Sequence, residues 1–155
     1  MRRRLVVLCL LAVATIAPRR SPCAELNGLS FVLTTARKVY RIGEPIIVNY
    51  TLTNTTDNAL VVSDLANPEN DGGGVSVLFD GSRPIARHGD LCSGPRRIVI
   101  LDAGKSSTSP HDFSALYSFA TPGRYVIRVT YSAYEPAPKH WRGSIPEEVW
   151  VWVQE

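Results

Sequence analysis

Residues 39–54 read VYRIGEPIIVNYTLTN. A turn at Gly43-Glu44-Pro45 opens a run in which Ile46, Val48, Tyr50 and Leu52 alternate with Ile47, Asn49, Thr51 and Thr53. Successive side chains of a strand point to opposite faces. A period of two in β-branched and aromatic residues after a Gly/Pro turn therefore marks a half-buried β-strand. The run is expected to be the central strand of a sheet. The cluster Asn54 to Asn58 should end it, because Asn, Asp and Thr side chains bond their own backbone in turns.

Working outward, the same period recurs on both sides. Upstream, Leu29, Phe31 and Leu33 alternate with smaller residues as a first strand, and Ala36 to Tyr40 leads on as a strand that changes sheets. Downstream, Leu60-Val61-Val62 reads as a short strand. Val75, Val77 and Phe79 alternate up to Asp80-Gly81, a hairpin signal with Pro84-Ile85-Ala86 beyond it. Arg96 to Leu101 reads as another strand, and a Ser/Thr/Pro stretch after the Asp102 to Lys105 turn reads as a connection to Phe113. Phe113 to Phe119 fits either one helical turn or a short extended piece. Tyr125, Ile127, Val129 and Tyr131 share one face of a long strand, with Arg124, Arg128 and Thr130 on the other. Val149-Trp150-Val151-Trp152-Val153 closes the chain in alternation. Seven to nine short strands, regular turn signals and no amphipathic helix predict an all-β antiparallel sandwich in one domain.

The N-terminus has a different character. Arg2-Arg3-Arg4 precedes an uninterrupted apolar run from Leu5 to Ala17, with small residues after it, which is the pattern of a secretory signal peptide. Pro18 disfavours cleavage after Ala17, so the expected division is a leader over 1–24 and a domain over 25–155. The apolar run is well short of the roughly 20 residues a span needs, although an uncleaved anchor is the alternative. No membrane span is expected once the leader is removed, and the expected location is secreted or periplasmic. Five of the 17 basic residues lie in the leader, leaving 12 against 14 acidic ones, a formal charge of −2. The high pI thus belongs to the precursor and gives no argument for nucleic-acid binding. Of three cysteines, Cys9 lies in the leader. Cys23 and Cys92 can form a disulfide only if processing leaves Cys23 in place.

Lys38-Val39-Tyr40, Gly43-Glu44-Pro45-Ile46 and Val48, followed by Leu52-Thr53-Asn54, resemble the opening strands of secreted bacterial immunoglobulin-like domains. The pattern is similar to macroglobulin-type and fibronectin-III-like modules and to intracellular proteinase inhibitor-like proteins. Phe113-Ser114, Tyr117, Phe119 and Pro122-Gly123-x-Tyr125-x-Ile127 resemble the closing half of such domains, and the β-domain of deuterolysin-like metallopeptidases. The resemblance implies an immunoglobulin-like sandwich. Tyr125 would be a tyrosine corner, and Ile127 would stand where antibody domains carry their second intersheet cysteine.

Candidate chemistry is sparse. Gly89 to Pro95 faintly echoes a serine-protease nucleophile loop, but no histidine precedes it in a matching context, and there is no G-x-S-x-G elbow. His88, His111 and His140 stand apart, and His88 with Cys92 supplies only two zinc ligands. Asp64, Glu69, Asn70 and Asp71 offer hard oxygens of the kind calcium takes, which loop solvation explains equally well. Gly72-Gly73-Gly74 precedes a strand and lacks the lysine of a phosphate loop. No enzyme activity, cofactor or metal is expected.

Trp141, Trp150 and Trp152 are the candidate binding surface. If Val149, Val151 and Val153 face the core, Trp150 and Trp152 point outward together, able to stack on sugars or anchor a protein. The opposing reading has them facing the core or covered by the proline-rich loop carrying Trp141. Asn49-Tyr50-Thr51 and Asn54-Thr55-Thr56 match glycosylation sequons. The expected function is a non-enzymatic protein-binding module with an unidentified protein partner. The alternatives are a proteinase inhibitor using a loop within 63–74, 87–95 or 135–146, or a glycan-binding module using the tryptophans.

Overall fold

A computed structural model describes residues 24–64, 73–89, 98–133 and 141–155. The organising run forms β4 (Ile47–Asn54), whose even positions are buried and odd positions half-exposed, as its alternation predicts. It lies between β2 (Leu29–Thr35) and β9 (Ser106–Asp112) in a four-stranded antiparallel sheet edged by β1 (Ala24–Leu26). Asn27-Gly28 makes the β1–β2 hairpin with both residues at positive φ, the conformation an Asn-Gly turn favours. A Cβ on Gly28 would overlap the Thr56 methyl, so the 55–58 turn can close over this hairpin only at a glycine.

The second sheet has five strands in the order β3 (Val39–Arg41), β11 (Gly143–Gln154), β10 (Gly123–Ala133), β6 (Gly74–Phe79) and β7 (Arg83–Pro84). The chain does change sheets after β2: β3 leaves the first sheet and pairs in parallel with the end of β11. The Asp80-Gly81 hairpin forms with both residues at positive φ. β5 (Leu60–Ser63) and β8 (Ile98–Leu101) make a separate antiparallel ribbon. Its Leu60, Val62, Val99 and Leu101 pack on the core, while Ile98 and Ile100 face outward.

The core fills the space between the two large sheets. Phe31 and Tyr50 of the first sheet meet Tyr131, Ile127 and Val151 of the second, with the Phe31 and Tyr131 rings 5.7 Å apart. Buried tyrosines need partners for their hydroxyls. The Tyr131 hydroxyl donates to the Ser63 carbonyl at 3.0 Å, tying the ribbon to β10. The Tyr125 hydroxyl donates to the Thr121 carbonyl at 2.8 Å and accepts from the Thr121 N–H, locking the turn that enters β10. Asn54 is fully buried. Its amide donates to the carbonyls of Asn58 and Leu101, and its oxygen accepts from the Thr56 N–H and hydroxyl.

Eleven strands are formed among the described residues, where seven to nine were expected. Part of the excess is β1, three residues and too short for periodicity to register. Another is β9, whose residues 106–112 read as a connection. Its half-buried positions are Ser107, Ser109 and His111, so no apolar alternation advertises it. Ladder pairing with β4 holds it, supplemented by hydroxyl pairs between Thr51 and Thr108 and between Thr53 and Ser106. Residues 113–119 contain both forms that the sequence allowed: a 3-10 turn over Phe113–Ala115, then an isolated bridge from Tyr117 to Arg87.

Candidate binding face

β10 and β11 pair from Gly123↔Val153 to Ala133↔Gly143 without a bulge, so the alternation of β11 is kept throughout. Val149, Val151 and Val153 are buried. Trp150 and Trp152 project from the opposite face and remain 44% and 47% exposed. The register sets Arg124 beside Trp152, Val126 beside Trp150 and Arg128 beside Glu148. On the far side β3 brings Val39 against Trp152, and Val39 is itself 45% exposed. Val126 is buried although it lies on the outer face, between Trp150 and Leu78 in neighbouring strands. The result is a continuous apolar strip on the outside of the sheet.

Cations flank this strip. The Lys38 ammonium lies 5.0 Å from the Trp150 ring centre and donates to the Trp150 carbonyl at 3.3 Å. The Arg124 guanidinium lies 5.9 Å from the same ring, within cation–π range. Partial burial lowers the Lys38 pKa below the ordinary lysine value, since desolvation disfavours the charged form. Arg128 pairs with Glu148 at 3.0 Å. Among the described residues, neither Lys38 nor Arg124 has a carboxylate partner. Along β11 the strip runs toward an open groove of about 470 Å³, lined in part by Arg128, Thr130, Pro146 and Glu148.

Trp141 does not belong to this surface, contrary to its grouping with Trp150 and Trp152. It is 4% exposed, packs against Tyr131 at 5.6 Å, and donates its indole N–H to the Leu26 carbonyl at 3.0 Å. Its side chain closes the core beneath the β1–β2 hairpin. The sequence groups three tryptophans, but Trp141 stands just before β11, where no strand alternation sets its direction.

The edges at β11, β9 and β7 are poorly suited to adding a strand. The outward edge of β11 carries Pro146, which has no N–H, and Glu148, whose N–H is taken by the Glu147 carboxylate at 3.3 Å. The Trp150 carbonyl on the same edge is capped by Lys38. β9 contains Pro110, and β7 is only Arg83-Pro84. Prolines, short strands and charged caps of this kind block edge-to-edge pairing.

The other candidates are scattered. No group of three or more metal-ligating side chains occurs among the described residues. Cys23, Cys92, Glu69, Asn70, Asp71 and His140, and most of the three candidate inhibitory loops, lie outside the described residues. His111 stacks on Tyr50 at 4.1 Å, and the His88 backbone is bonded to Leu116. Of the two sequons, Asn49 is half-exposed on the outside of its sheet. Asn54 is fully buried with its amide engaged, so the folded domain does not present it. Lys38, Val39 and Arg124 were not singled out from the sequence as site residues. Lys38 and Trp150 are 112 residues apart, and no local pattern connects them.

No known family and no curated protein matches the sequence. Among solved structures, the chain is similar to β-glucosidase from Listeria innocua in complex with gluconolactone, at 19% identity and a TM-score of 0.42. The same enzyme in complex with glucose gives the same values. In both cases the likeness covers 82% of this chain but 16% of the other, so this chain spans about a sixth of those it matches. Likeness at this level assigns no activity.

Proposed function

We propose that this protein is a secreted or periplasmic, non-catalytic binding module of immunoglobulin-like architecture. In this reading the outer face of the five-stranded sheet, around Trp150 and Trp152, is its contact surface. The observation that carries the reading is the pair of exposed tryptophans, side by side on a rigid strand and flanked by Val39, Lys38 and Arg124. Large aromatic side chains left in water are costly to the fold, and clusters of them mark contact sites. The immunoglobulin-like assignment draws support from β3 pairing in parallel with the last strand, and from the Tyr125–Thr121 hydrogen bonds at the entry to β10. The secretory part rests on the Arg2 to Ala17 pattern. No helix among the described residues is long and apolar enough to cross a membrane. With the β11, β9 and β7 edges blocked, contact at this end of the fold is favoured through the sheet face rather than by addition of a peptide strand.

The test is capture by the immobilised mature domain from secreted and envelope fractions of its own organism, in parallel for wild type and Trp150→Ala/Trp152→Ala. Both side chains are half outside the fold, so the double variant should melt cooperatively near the wild-type temperature. Loss of the bound species in that variant supports the reading. An identical set of captured species in both proteins refutes it.

A further inference from the structure

The two tryptophans of the face are not equivalent. Trp150 is flanked by both cations, with Lys38 held against its ring and backbone, whereas no cation lies over Trp152 among the described residues. Arg124 is the direct cross-strand neighbour of Trp152, and from there its guanidinium reaches to 5.9 Å from the Trp150 ring. Arg41 lies two residues beyond Val39, opposite Gln154, with the Glu44 carboxylate on its backbone N–H. This end of the face therefore presents Lys38 and Arg124, which have no carboxylate partner among the described residues, on a domain whose formal charge without its leader is −2.

Building on the reading above, we propose that this face binds an anionic polysaccharide segment of the uronate type. A sugar ring stacks on Trp152, and its carboxylate is held by Arg124 and Lys38. Three features select this occupant. First, Lys38 and Arg124, unmatched by carboxylates among the described residues, provide charge complementarity for an anion, and a guanidinium binds a carboxylate through paired N–H donors. Second, the two tryptophans leave on the order of 230 Å² open. That is enough open aromatic surface for a sugar ring to stack on each side chain. Third, the two exposed rings stand two residues apart on β11, about 7 Å at ~3.3 Å per residue, on the same face of a rigid strand, which suits stacking along a sugar chain. A neutral sugar would use the ring stacking but leave the cations unanswered.

The test is titration of the intact mature domain with tetragalacturonic acid and with its methyl ester, which keeps the rings and removes the charges. Tryptophan fluorescence gives the readout. The acid is expected to bind at least tenfold more tightly than the ester and to weaken with added salt. Arg124→Gln should lose about tenfold for the acid and change little for the ester, whereas Trp152→Ala should lose both. Ile100→Ser, on the β5–β8 ribbon, should bind as wild type does. Equal binding of acid and ester, undiminished binding by Trp152→Ala, or no binding of the acid overturns the proposal. A captured protein that depends on Trp152, in the absence of acid binding, leaves the sheet face as the contact surface and removes the polysaccharide. If capture and titration are both unaffected by the tryptophan variants, both readings fall.

Discussion

Two buried tyrosines make opposite predictions for the same chemical change. Tyr125 is 1% exposed, and its hydroxyl donates to the Thr121 carbonyl at 2.8 Å while accepting the Thr121 N–H at 3.3 Å. Tyr125→Phe removes one oxygen and keeps the ring between Phe79 and Phe119, whose centroids lie 5.1 and 4.9 Å away. No cavity of consequence forms, so the loss is that of the hydrogen bonds. Thr121 is exposed, and water can reach the groups left behind. The cost is therefore about 1–1.5 kcal/mol rather than the full penalty of a stranded buried carbonyl. Tyr40 is 3% exposed, with its ring under the Arg37 guanidinium at 4.6 Å, and its hydroxyl is buried without a hydrogen-bond partner among the described residues. Tyr40→Phe removes a desolvated polar group that has no compensating bond, so stability should be unchanged or rise by up to ~1 kcal/mol. For a domain of this size 1 kcal/mol moves the melting temperature by roughly 3–5 °C. Urea unfolding followed by tryptophan fluorescence measures both variants, and equal m-values would show that the unfolded state is unchanged. Tyr125→Phe unfolding at the wild-type urea midpoint, or Tyr40→Phe losing more than about 1 kcal/mol, would refute this hydrogen-bond assignment.

Asn54→Ala removes four hydrogen bonds that pin the 55–58 turn and the Leu101 carbonyl, and should cost about 3 kcal/mol. Asn54→Asp keeps the acceptor but aims an oxygen at two carbonyls, so thermal melts should find it at least as damaging; a loss under ~1 kcal/mol would remove the donor role. Glu44 tests the pH dependence of the β3–β4 turn. The Arg41 backbone N–H, with the Arg37 guanidinium at 2.8 Å, holds its pKa below the ordinary carboxylate value of 4.5. The charged form is therefore favoured by folding, and its contribution is complete above that value and lost as pH falls through the lower folded value. The acid limb of the melting-temperature profile should be shallower in Glu44→Gln than in wild type. Parallel profiles would show that the contact adds nothing.

The strands that sequence reading found are those with a strong inward face. β2, β4, β6, β10 and β11 each alternate large apolar residues against polar ones, and each packs that face into the core. β9 escaped because Ser107, Ser109 and His111 bring no apolar signal, and ladder hydrogen bonds look alike for every sequence. β1 escaped as well, because a three-residue strand is too short for alternation to stand out, and its Asn27-Gly28 turn was not read as a hairpin. For the candidate site, alternation put Trp150 and Trp152 on one side, and the structure decided that this side faces outward. Trp141 broke the grouping, because a residue outside a strand takes its orientation from whatever cavity tertiary packing offers.

The sequence by itself determined the all-β class, the hairpin at Asp80-Gly81, the inward faces of the long strands and the shared side of Trp150 and Trp152. All of these depend on residues a few positions apart, where backbone geometry alone sets which side chains are neighbours. Tertiary structure alone decided the order of the strands, the parallel docking of β3 on β11, the burial of Trp141, and the placing of Lys38 and Arg124 around Trp150. Those arrangements depend on pairing between segments separated by tens to more than a hundred residues. Such pairing is chosen by the packing of the whole core and leaves no mark in any local window of the chain.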